Sequence, residues 1–334
     1  MTKKQPLDLA FEAALRGDYE KSESILRTCE QNDARVVFNL GWHELRHGNL
    51  SKGLSMLDAG RFINVYGSPP IKGEMWFDQD LNGKTLMLRC EGGMGDEMLQ
   101  VRWVKHFEEM GANVIVSCHQ TLKEFLSANG MTCIDSNFEH FMHYDYWLPA
   151  KSIAPLLGYE YSTLSGKKYL KAASKRELYS KPGTLKVGIR WAGNPEFEHQ
   201  QFRTFDPNYL TSLHERPELT LYSLQRDEDM IDGLPFADLR DQMQTWSDTA
   251  EIISGLDLVI SSCTSIVHLA GALGVEVWVL TPVMPYYTWA KLENKTEWYD
   301  SVKIFRQKTF NNWDEPFKEV RESLDKRCKT FKAA

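Results

Sequence analysis

The chain has 334 residues, enough for two or three domains, and 42% hydrophobic and 25% charged residues are typical of a globular protein. Its net charge of -7 argues against broad nucleic-acid binding, because such binding needs a basic stripe, and no apolar stretch approaches the roughly 20 residues of a membrane span. The six scattered cysteines contain no C-x-x-C pair, which favours reduced thiols in a cytoplasmic protein over disulfides or a zinc site.

Residues 1–68 are predicted to be helical and weakly repetitive. The stretches AALRGDYEKSESIL and HELRHGNLSKGLSML align Gly17 over Gly48, and each passes through a glycine turn into an amphipathic stretch. They resemble about two tetratricopeptide-like units, with a period shorter than the usual ~34 residues. Because so few repeats are marginally stable alone, we expect them to pack on the next part of the chain, and they could also bind a protein partner. The paired prolines of YGSPPIKGE, Tyr66–Glu74, mark a boundary.

Residues 75–165 alternate between strand and helix patterns. Short apolar runs of strand length, KTLMLRC, ANVIVSC and MTCIDS, are separated by stretches with apolar residues at helical spacing. A further strand and helix are predicted within YDYWLPAKSIAPLLG. This alternation predicts parallel βαβ units and a Rossmann-like domain.

Residues 184–310 repeat the pattern after a polar, lysine-rich stretch at 161–184. The predicted strands are LKVGIRWAG, LTLYSLQ, LDLVISSC and VEVWVLTP, and residues 311–334 are predicted to form a final amphipathic helix. The fold class is therefore α/β, with two Rossmann-like domains facing a cleft behind an all-helical repeat segment. Ligands of such sheets lie beyond the carboxyl ends of the strands.

The loop CEGGMGDEMLQ follows the first of these strands. Gly92, Gly93 and Gly95 precede a helix predicted to begin near the acid Asp96. The loop lacks the GK[ST] ending of a P-loop, so it could hold an anion on helical N–H groups, carry a catalytic carboxylate or only turn the chain. From the local pattern alone, Asp96 as a helix cap is the simplest interpretation.

Two further loops carry polar groups at strand ends. The first, RWAGNPEFEHQQFRTF, offers Asn194 and Arg203, which suit a diphosphate or a sugar hydroxyl, although it could also be a solvated polar loop. The second, SSCTSIVHLAGALG, places Thr264 and Ser265 at a helix start, where anions bind readily. His268 lies one turn after Thr264 on the same face, so ligand proximity and a structural role are both open.

Four motifs in order resemble glycosyltransferase family 9, which includes the ADP-heptose:lipopolysaccharide heptosyltransferases. They are KVGIRWAGNPEF, DTAEIISGLDLVISS, TSIVHLAGALGVEVWVLTP and EWYDSVKIFRQ. The resemblance covers roughly residues 84–310, and the helical start is similar to members fused behind tetratricopeptide repeats. It implies a GT-B type fold and an inverting, metal-independent transfer from a nucleotide-diphosphate sugar to a glycan, lipopolysaccharide-like or other hydroxyl acceptor, with no cofactor.

The resemblance also implies residue roles. Asp96 matches the general base of the family's Gly-Asp pair, with Gly92, Gly93 and Gly95 as the acceptor loop and Glu91 as the alternative carboxylate. The positions matching donor and phosphate contacts are Asn194, Arg203, Thr264, Ser265 and His268. Cys263 stands where many relatives have an aspartate beside the donor sugar, and a thiol is a weaker acceptor than a carboxylate.

Two other functions stay open at this point. Cys263 and the short repeats are compatible with a catalytically silent scaffold that binds a partner through its repeats. A sugar-nucleotide epimerase of similar fold would need other acidic pairs, which we do not find in the sequence.

Overall fold

The computed structural model describes residues 5–66, 72–197, 200–226 and 236–333. They form two compact units, one of Met1–Ala13 with Tyr19–Ser165 and one of Ala14–Asp18 with Gly166–Ala334. The boundary at residue 165 falls in the polar stretch that separates the two predicted series of strands. Most of the predicted boundary YGSPPIKGE, residues 67–71, lies outside the described residues.

The chain begins with helices joined by tight turns. Gly17 and Gly48 both adopt positive φ in these turns, in agreement with their alignment in the sequence. Helices α3 (Ala34–Arg46) and α4 (Leu50–Leu57) approach closely at two further glycines, since a Cβ on Gly41 would lie 2.9 Å from the carbonyl oxygen of Gly53. The interpretation of these pairs as tetratricopeptide-like repeats stays a prediction. The helices are α1 Pro6–Leu15, α2 Tyr19–Arg27, α3 Ala34–Arg46 and α4 Leu50–Leu57, followed by a 3₁₀ turn at Asp58–Ile63.

The end of this helical segment packs on the α/β part of the first unit. The Glu160 carboxylate accepts hydrogen bonds from the backbone N–H groups of Leu50 at 3.0 Å and Ser51 at 3.4 Å. It therefore satisfies N–H groups at the start of α4 that have no partner within the helix. The expected packing of the helical segment on the next part of the chain is confirmed.

The first unit contains a five-stranded parallel sheet in the order β1-β5-β2-β3-β4. Leu86, Met87 and Leu88 in the central strand are fully buried, as in parallel sheets covered on both faces. The chain runs from β2 outward through β3 and β4, then returns to β5 on the other side of β2. Its elements are β1 Glu74–Met75, β2 Thr85–Arg89, α5 Met94–Gln100, α6 Val104–Glu109, β3 Asn113–Cys118, α7 Gln120–Ala128, β4 Thr132–Asp135, β5 Tyr146–Pro149 and α8 Ile153–Leu156.

The second unit contains a six-stranded parallel sheet in the order β11-β10-β9-β6-β7-β8. Read from β8, this is the strand order 3-2-1-4-5-6 of a Rossmann sheet, with its topological switch point between β6 and β9. Trp191, Phe205 and Phe317 belong to its buried core. Its elements are β6 Leu185–Arg190, α9 Gln200–Arg203, α10 Thr211–His214, β7 Leu219–Ser223, β8 Ala237–Asp238, α11 Trp246–Ser254, β9 Leu258–Ser262, α12 Ser265–Leu273, β10 Val277–Thr281, β11 Val302–Arg306 and α13 Asp314–Ala333.

The α/β class with two parallel sheets is thus confirmed over the described residues. The strands β1, β8 and β11 are absent from the sequence prediction. The first two have only two residues, too few to show a periodic pattern. The arrangement of the two domains about a cleft, and with it the GT-B type, stays a prediction.

Candidate active site

Asp96 folds back over the glycines of its own loop. Its Oδ2 accepts a hydrogen bond from the backbone N–H of Gly93 at 3.0 Å, which caps the start of α5. Gly92 has φ +95°, and a Cβ there would lie 2.7 Å from the same carboxylate oxygen. A side chain at position 92 is therefore excluded both by backbone conformation and by Asp96 itself. Gly93 is exposed, and Gly95 is buried within α5.

The second carboxylate oxygen of Asp96 differs from the first in its hydrogen bonding. Oδ1 is buried and has no hydrogen-bond partner among the residues that the structure describes. A buried carboxylate oxygen without a donor is costly, and a substrate hydroxyl could donate to it. Asp96 thus combines the capping role with a second oxygen that has no donor among the described residues.

Glu91, the alternative carboxylate, is engaged in an ion pair. Its two oxygens accept hydrogen bonds from Arg61 at 2.5 and 3.0 Å, and the residue is only 4% exposed. A carboxylate held in this bidentate way has little freedom to reach a substrate. This geometry favours a structural role for Glu91.

Glu97 is buried beside Asp96, a feature that the sequence pattern does not reveal. Its Oε2 accepts a hydrogen bond from the backbone N–H of His119 at 2.8 Å. Burial raises the pKa of Glu97 to about 7, against the opposing effect of this hydrogen bond. Besides Asp96, the candidate loop therefore contains Glu97, a carboxyl group that titrates near neutral pH. The sequence alone indicates only that Glu97 is an acid in the first turn of a helix.

In the second unit, Arg203 joins the two loops at the switch point of the sheet. Its Nη1 donates to the backbone carbonyl of Cys263 at 2.9 Å, so the loop after β6 is tied to the loop after β9. The guanidinium lies over the Phe197 ring, 4.5 Å from its centroid. A Cβ at Gly193 would lie 2.4 Å from Arg203 Nη2, so this position of the arginine requires a glycine there.

Thr264 and Ser265 lie at the start of α12, next to this arginine contact. Thr264 is the N-cap residue, but its side chain does not cap the helix. Its Oγ1 is instead 3.1 Å from the hydroxyl of Ser261. The first N–H groups of α12 therefore receive no bond from the Thr264 side chain, which leaves them suited to an anion.

The side chains of Asn194 and His268 are engaged in contacts within the protein. The side chain of Asn194 is exposed and accepts from the backbone N–H of Glu196 at 3.0 Å, an ordinary local turn. His268 is buried, with Nδ1 3.0 Å from the Tyr299 hydroxyl and its ring 5.5 Å from that of Trp289. These contacts are those of a structural histidine, and the ligand role of both residues stays a prediction.

Cys263 belongs to the same buried region. Its Sγ accepts a hydrogen bond from Trp289 Nε1 at 3.0 Å, while its carbonyl oxygen receives Arg203. The thiol is thus directed to an aromatic side chain. A carboxylate in this position would also find a donor in the indole N–H, but it would carry a charge into a buried site.

Gln225 and Ser262 are polar residues buried at the carboxyl ends of strands beside the switch point. Gln225 Oε1 accepts from the backbone N–H of Ala192 at 3.1 Å, but its Nε2 has no partner within the described part of the chain. The Ser262 hydroxyl is likewise unpartnered there. Ser262 stands among the hydroxyls of SSCTSIVHLAGALG, whereas sequence reasoning misses Gln225, because one glutamine after a strand gives no distinctive signal.

Neither a membrane span nor a metal cluster is found among the described residues. They contain no helix that is both long and apolar enough to cross a bilayer. They also contain no group of three or more His, Cys, Asp or Glu side chains placed to hold a metal ion. Whether the chemistry depends on a metal is not tested by this finding, and metal independence stays a prediction.

Comparison with known proteins shows one related sequence of greater length. No family model matches the chain. Protein FlbA of Caulobacter vibrioides (strain ATCC 19089 / CIP 103742 / CB 15) is 26% identical to it over 340 residues, which cover 85% of this chain and 52% of that protein. The chain therefore spans about half the length of the curated relative that it matches.

Several solved structures are similar to the chain at low identity. The iron-containing dodecameric glycosyltransferase TibC from enterotoxigenic E. coli H10407 gives a TM-score of 0.48 at 11% identity, over 78% of each chain. A family 9 glycosyl transferase from Veillonella parvula DSM 2008 gives 0.45 at 10% identity, over 74% of this chain and 91% of that one. E. coli heptosyltransferase WaaC with ADP gives 0.42 at 9% identity, over 75% and 100%. Likenesses at this level carry no argument about function.

Proposed function

We propose that the chain is an inverting glycosyltransferase of GT-B type that moves a sugar from a nucleotide-diphosphate donor to a hydroxyl acceptor without a metal ion. The observation that carries the proposal is the convergence of Arg203 and the start of α12 at the switch point of a sheet with Rossmann order. The four motifs that resemble family 9 supply the reaction class. In this proposal the nucleotide sugar is a co-substrate and no cofactor takes part.

The donor diphosphate would bind at this switch point. Arg203 supplies a fixed positive charge, and the N–H groups at the start of α12, near Thr264 and Ser265, supply donors and the positive end of the helix dipole. As the glycosidic bond breaks, negative charge accumulates on the departing diphosphate. Preorganised donors of this kind stabilise that charge and lower the barrier.

Asp96 would act as the general base on the acceptor. Its Oδ1 accepts the hydroxyl proton, the hydroxyl oxygen attacks the anomeric carbon, and the diphosphate leaves from the opposite face with the electron pair of the broken bond. Attack opposite the leaving group inverts the anomeric centre. The exposed Gly93 leaves room for a bulky acceptor, since among the described residues a Cβ there would meet only Asp96 Oδ2, at 3.8 Å. We propose a glycan or lipopolysaccharide-like acceptor and a cytoplasmic location.

A silent scaffold is the second candidate, and the engaged thiol of Cys263 is the observation that favours it. Where the resemblance implies a carboxylate beside the donor sugar, this chain has a thiol that accepts a hydrogen bond from Trp289. In a scaffold, the helical segment would bind a protein partner and the second unit would bind no nucleotide.

Calorimetry combined with an activity assay distinguishes the two candidates. The wild-type chain is titrated with ADP, UDP and GDP. Sugar nucleotides that carry the base found to bind are then assayed for release of the nucleoside diphosphate in the presence of added acceptors. In Asp96→Asn the amide oxygen can still accept from Gly93, so folding and nucleotide binding should persist, whereas transfer falls by about 10²-fold or more. Binding of none of the three nucleotides would favour the scaffold, and full activity of Asp96→Asn would exclude Asp96 as the base.

A further inference from the structure

A chain of four charged side chains crosses the carboxyl edge of the first unit's sheet. Arg61 pairs with Glu91, the Arg89 guanidinium lies 3.9 Å from Glu91, and Arg89 also pairs with Glu139 at 3.2 Å. The Ser117 hydroxyl donates to Glu139 at 2.9 Å and extends the chain to the end of β3. These four side chains thus connect the helical segment with β2 and with the 3₁₀ turn Ser136–Phe141 after β4.

Glu91 is held through its backbone as well as its side chain. Its N–H donates to Gln100 Oε1 and its carbonyl accepts from Gln100 Nε2, both at 2.8 Å. These two bonds fix the first part of the glycine loop against the end of α5. Arg61 then fixes the remaining polar group of Glu91, its carboxylate, against the helical segment.

Arg61 also reaches the other side of the switch point in this sheet. Its Nη2 donates to the Ser152 hydroxyl at 3.1 Å, just beyond the end of β5. The same hydroxyl donates to Asp58 at 2.9 Å, and Asp58 in turn pairs with Arg61 at 3.1 Å. One guanidinium from the helical segment therefore ties together the loops after β2 and β5, where ligands of open α/β sheets bind.

We propose that Arg61 is a positioning residue for the transfer reaction, a role that rests on the function proposed above. Through Glu91 it holds the loop that carries Asp96, so the helical segment completes the acceptor site. Without Arg61, Glu91 would be a buried charge lacking its main partner, and the loop would shift to hydrate it. A shift of about 1 Å in a catalytic group can reduce the rate about 10²-fold.

Hydrogen exchange measured on the full-length chain tests the hold on the loop without any substrate. The amides of Glu91 and Gly93 report on the loop, since Gln100 and Asp96 respectively accept from them. We expect at least tenfold faster exchange of both amides in Arg61→Ala and in Glu91→Gln, and partial recovery in Arg61→Lys. Arg35→Ala is the matched control, because the exposed Arg35 pairs with Asp33 in the same helical segment. Unchanged exchange in a folded Arg61→Ala or Glu91→Gln variant would overturn the proposal.

Kinetics separate positioning from general destabilisation. With a nucleotide sugar turned over by the wild-type chain, Arg61→Ala should lower kcat at least tenfold while the Kd for the nucleoside diphosphate stays unchanged, and Arg61→Lys should recover part of the rate. An unchanged kcat in Arg61→Ala would overturn the positioning role even if the loop exchanges faster. Failure of the wild-type chain to bind any nucleotide would instead overturn the proposed function, and the exchange experiment would still measure the hold of Arg61 on the loop.

Discussion

Asp96 and Glu97 are adjacent carboxylic acids in different environments. Asp96 is partly exposed and uses one oxygen to cap α5, while its other oxygen has no partner within the described residues. Glu97 is 7% exposed and faces away toward the backbone of His119. Because burial raises the pKa of Glu97 to about 7, the loop is sensitive to pH near neutrality.

Glu97 should make stability depend on pH. Its pKa is raised from 4.5 to about 7 in the native state, so between these values the native chain binds more protons than the unfolded chain. The free energy of unfolding therefore falls as the pH rises through this window and levels off above it. Glu97→Gln keeps an acceptor for His119 and should remove this fall, which amounts to about 3 kcal/mol at most. Urea unfolding at pH 5 and pH 8 measures the difference.

The control for this experiment is Glu124→Gln, since Glu124 is exposed on α7. It should retain the wild-type difference between the two pH values. An identical difference in Glu97→Gln would show that another group accounts for the pH dependence.

At the scale of elements, the loops after the strands of the second sheet are held by backbone contacts made by long side chains. Arg203 bonds to the carbonyl of Cys263, and Arg190 bonds to the carbonyls of Ala192 at 2.9 Å and Leu224 at 3.1 Å. These bonds connect the loops that come after β6, β7 and β9. The candidate diphosphate site therefore depends on three loops from different parts of the chain.

Two substitutions in these loops should weaken nucleotide binding in the same way. Arg203→Ala removes the guanidinium. Gly193→Ala places a methyl group 2.4 Å from the observed position of Arg203 Nη2 and therefore displaces the guanidinium. Since a hydrogen bond to a charged group contributes about 1.5–3 kcal/mol, we expect a loss of roughly 10- to 100-fold in nucleoside-diphosphate affinity by calorimetry. Arg240→Ala is the control, because Arg240 pairs with Asp238 beside the edge strand β8. Equal affinity in all three variants would place the diphosphate elsewhere.

At the scale of the molecule, the helical segment belongs to the same compact unit as the first sheet apart from residues 14–18. Its contacts with that sheet include the Glu160 bonds to the start of α4 and the bidentate pair between Arg61 and Glu91. A module attached only through a linker would lack such contacts. Removing it should therefore disturb the rest of the chain.

Truncation tests this dependence. A chain of residues 72–334 loses Arg61, the bidentate partner of Glu91, and also the packing of α4 on Glu160. We expect a lower midpoint in urea unfolding than for the whole chain, and partial recovery when Glu91→Gln is added to the truncated chain. Stability equal to the whole chain would show that the helical segment is an independent module, and a loss without any gain from Glu91→Gln would show that the unpaired Glu91 is not its cause.

Periodic features of the sequence were sufficient to predict the central strands and most of the longer helices. Apolar runs such as KTLMLRC and LDLVISSC correspond to β2 and β9, and the glycine alignment located the turns at Gly17 and Gly48. Such features depend on neighbouring residues in the chain, so they are visible without a structure. The same strand predictions place polar loops at the strand ends. Arg203 and Thr264 are therefore candidates on sequence grounds alone.

The surroundings of each candidate were decided by tertiary structure alone. Neither the pair between Arg61 and Glu91 nor the bond from Arg203 to Cys263 has a signal in the sequence, because each joins residues that only the folded chain brings together. The raised pKa of Glu97 has the same origin, since burial is a property of the packed structure. The sequence by itself determined which residues stand at the ends of strands. Their contacts depend on which distant segments pack there, and only the tertiary structure decided that.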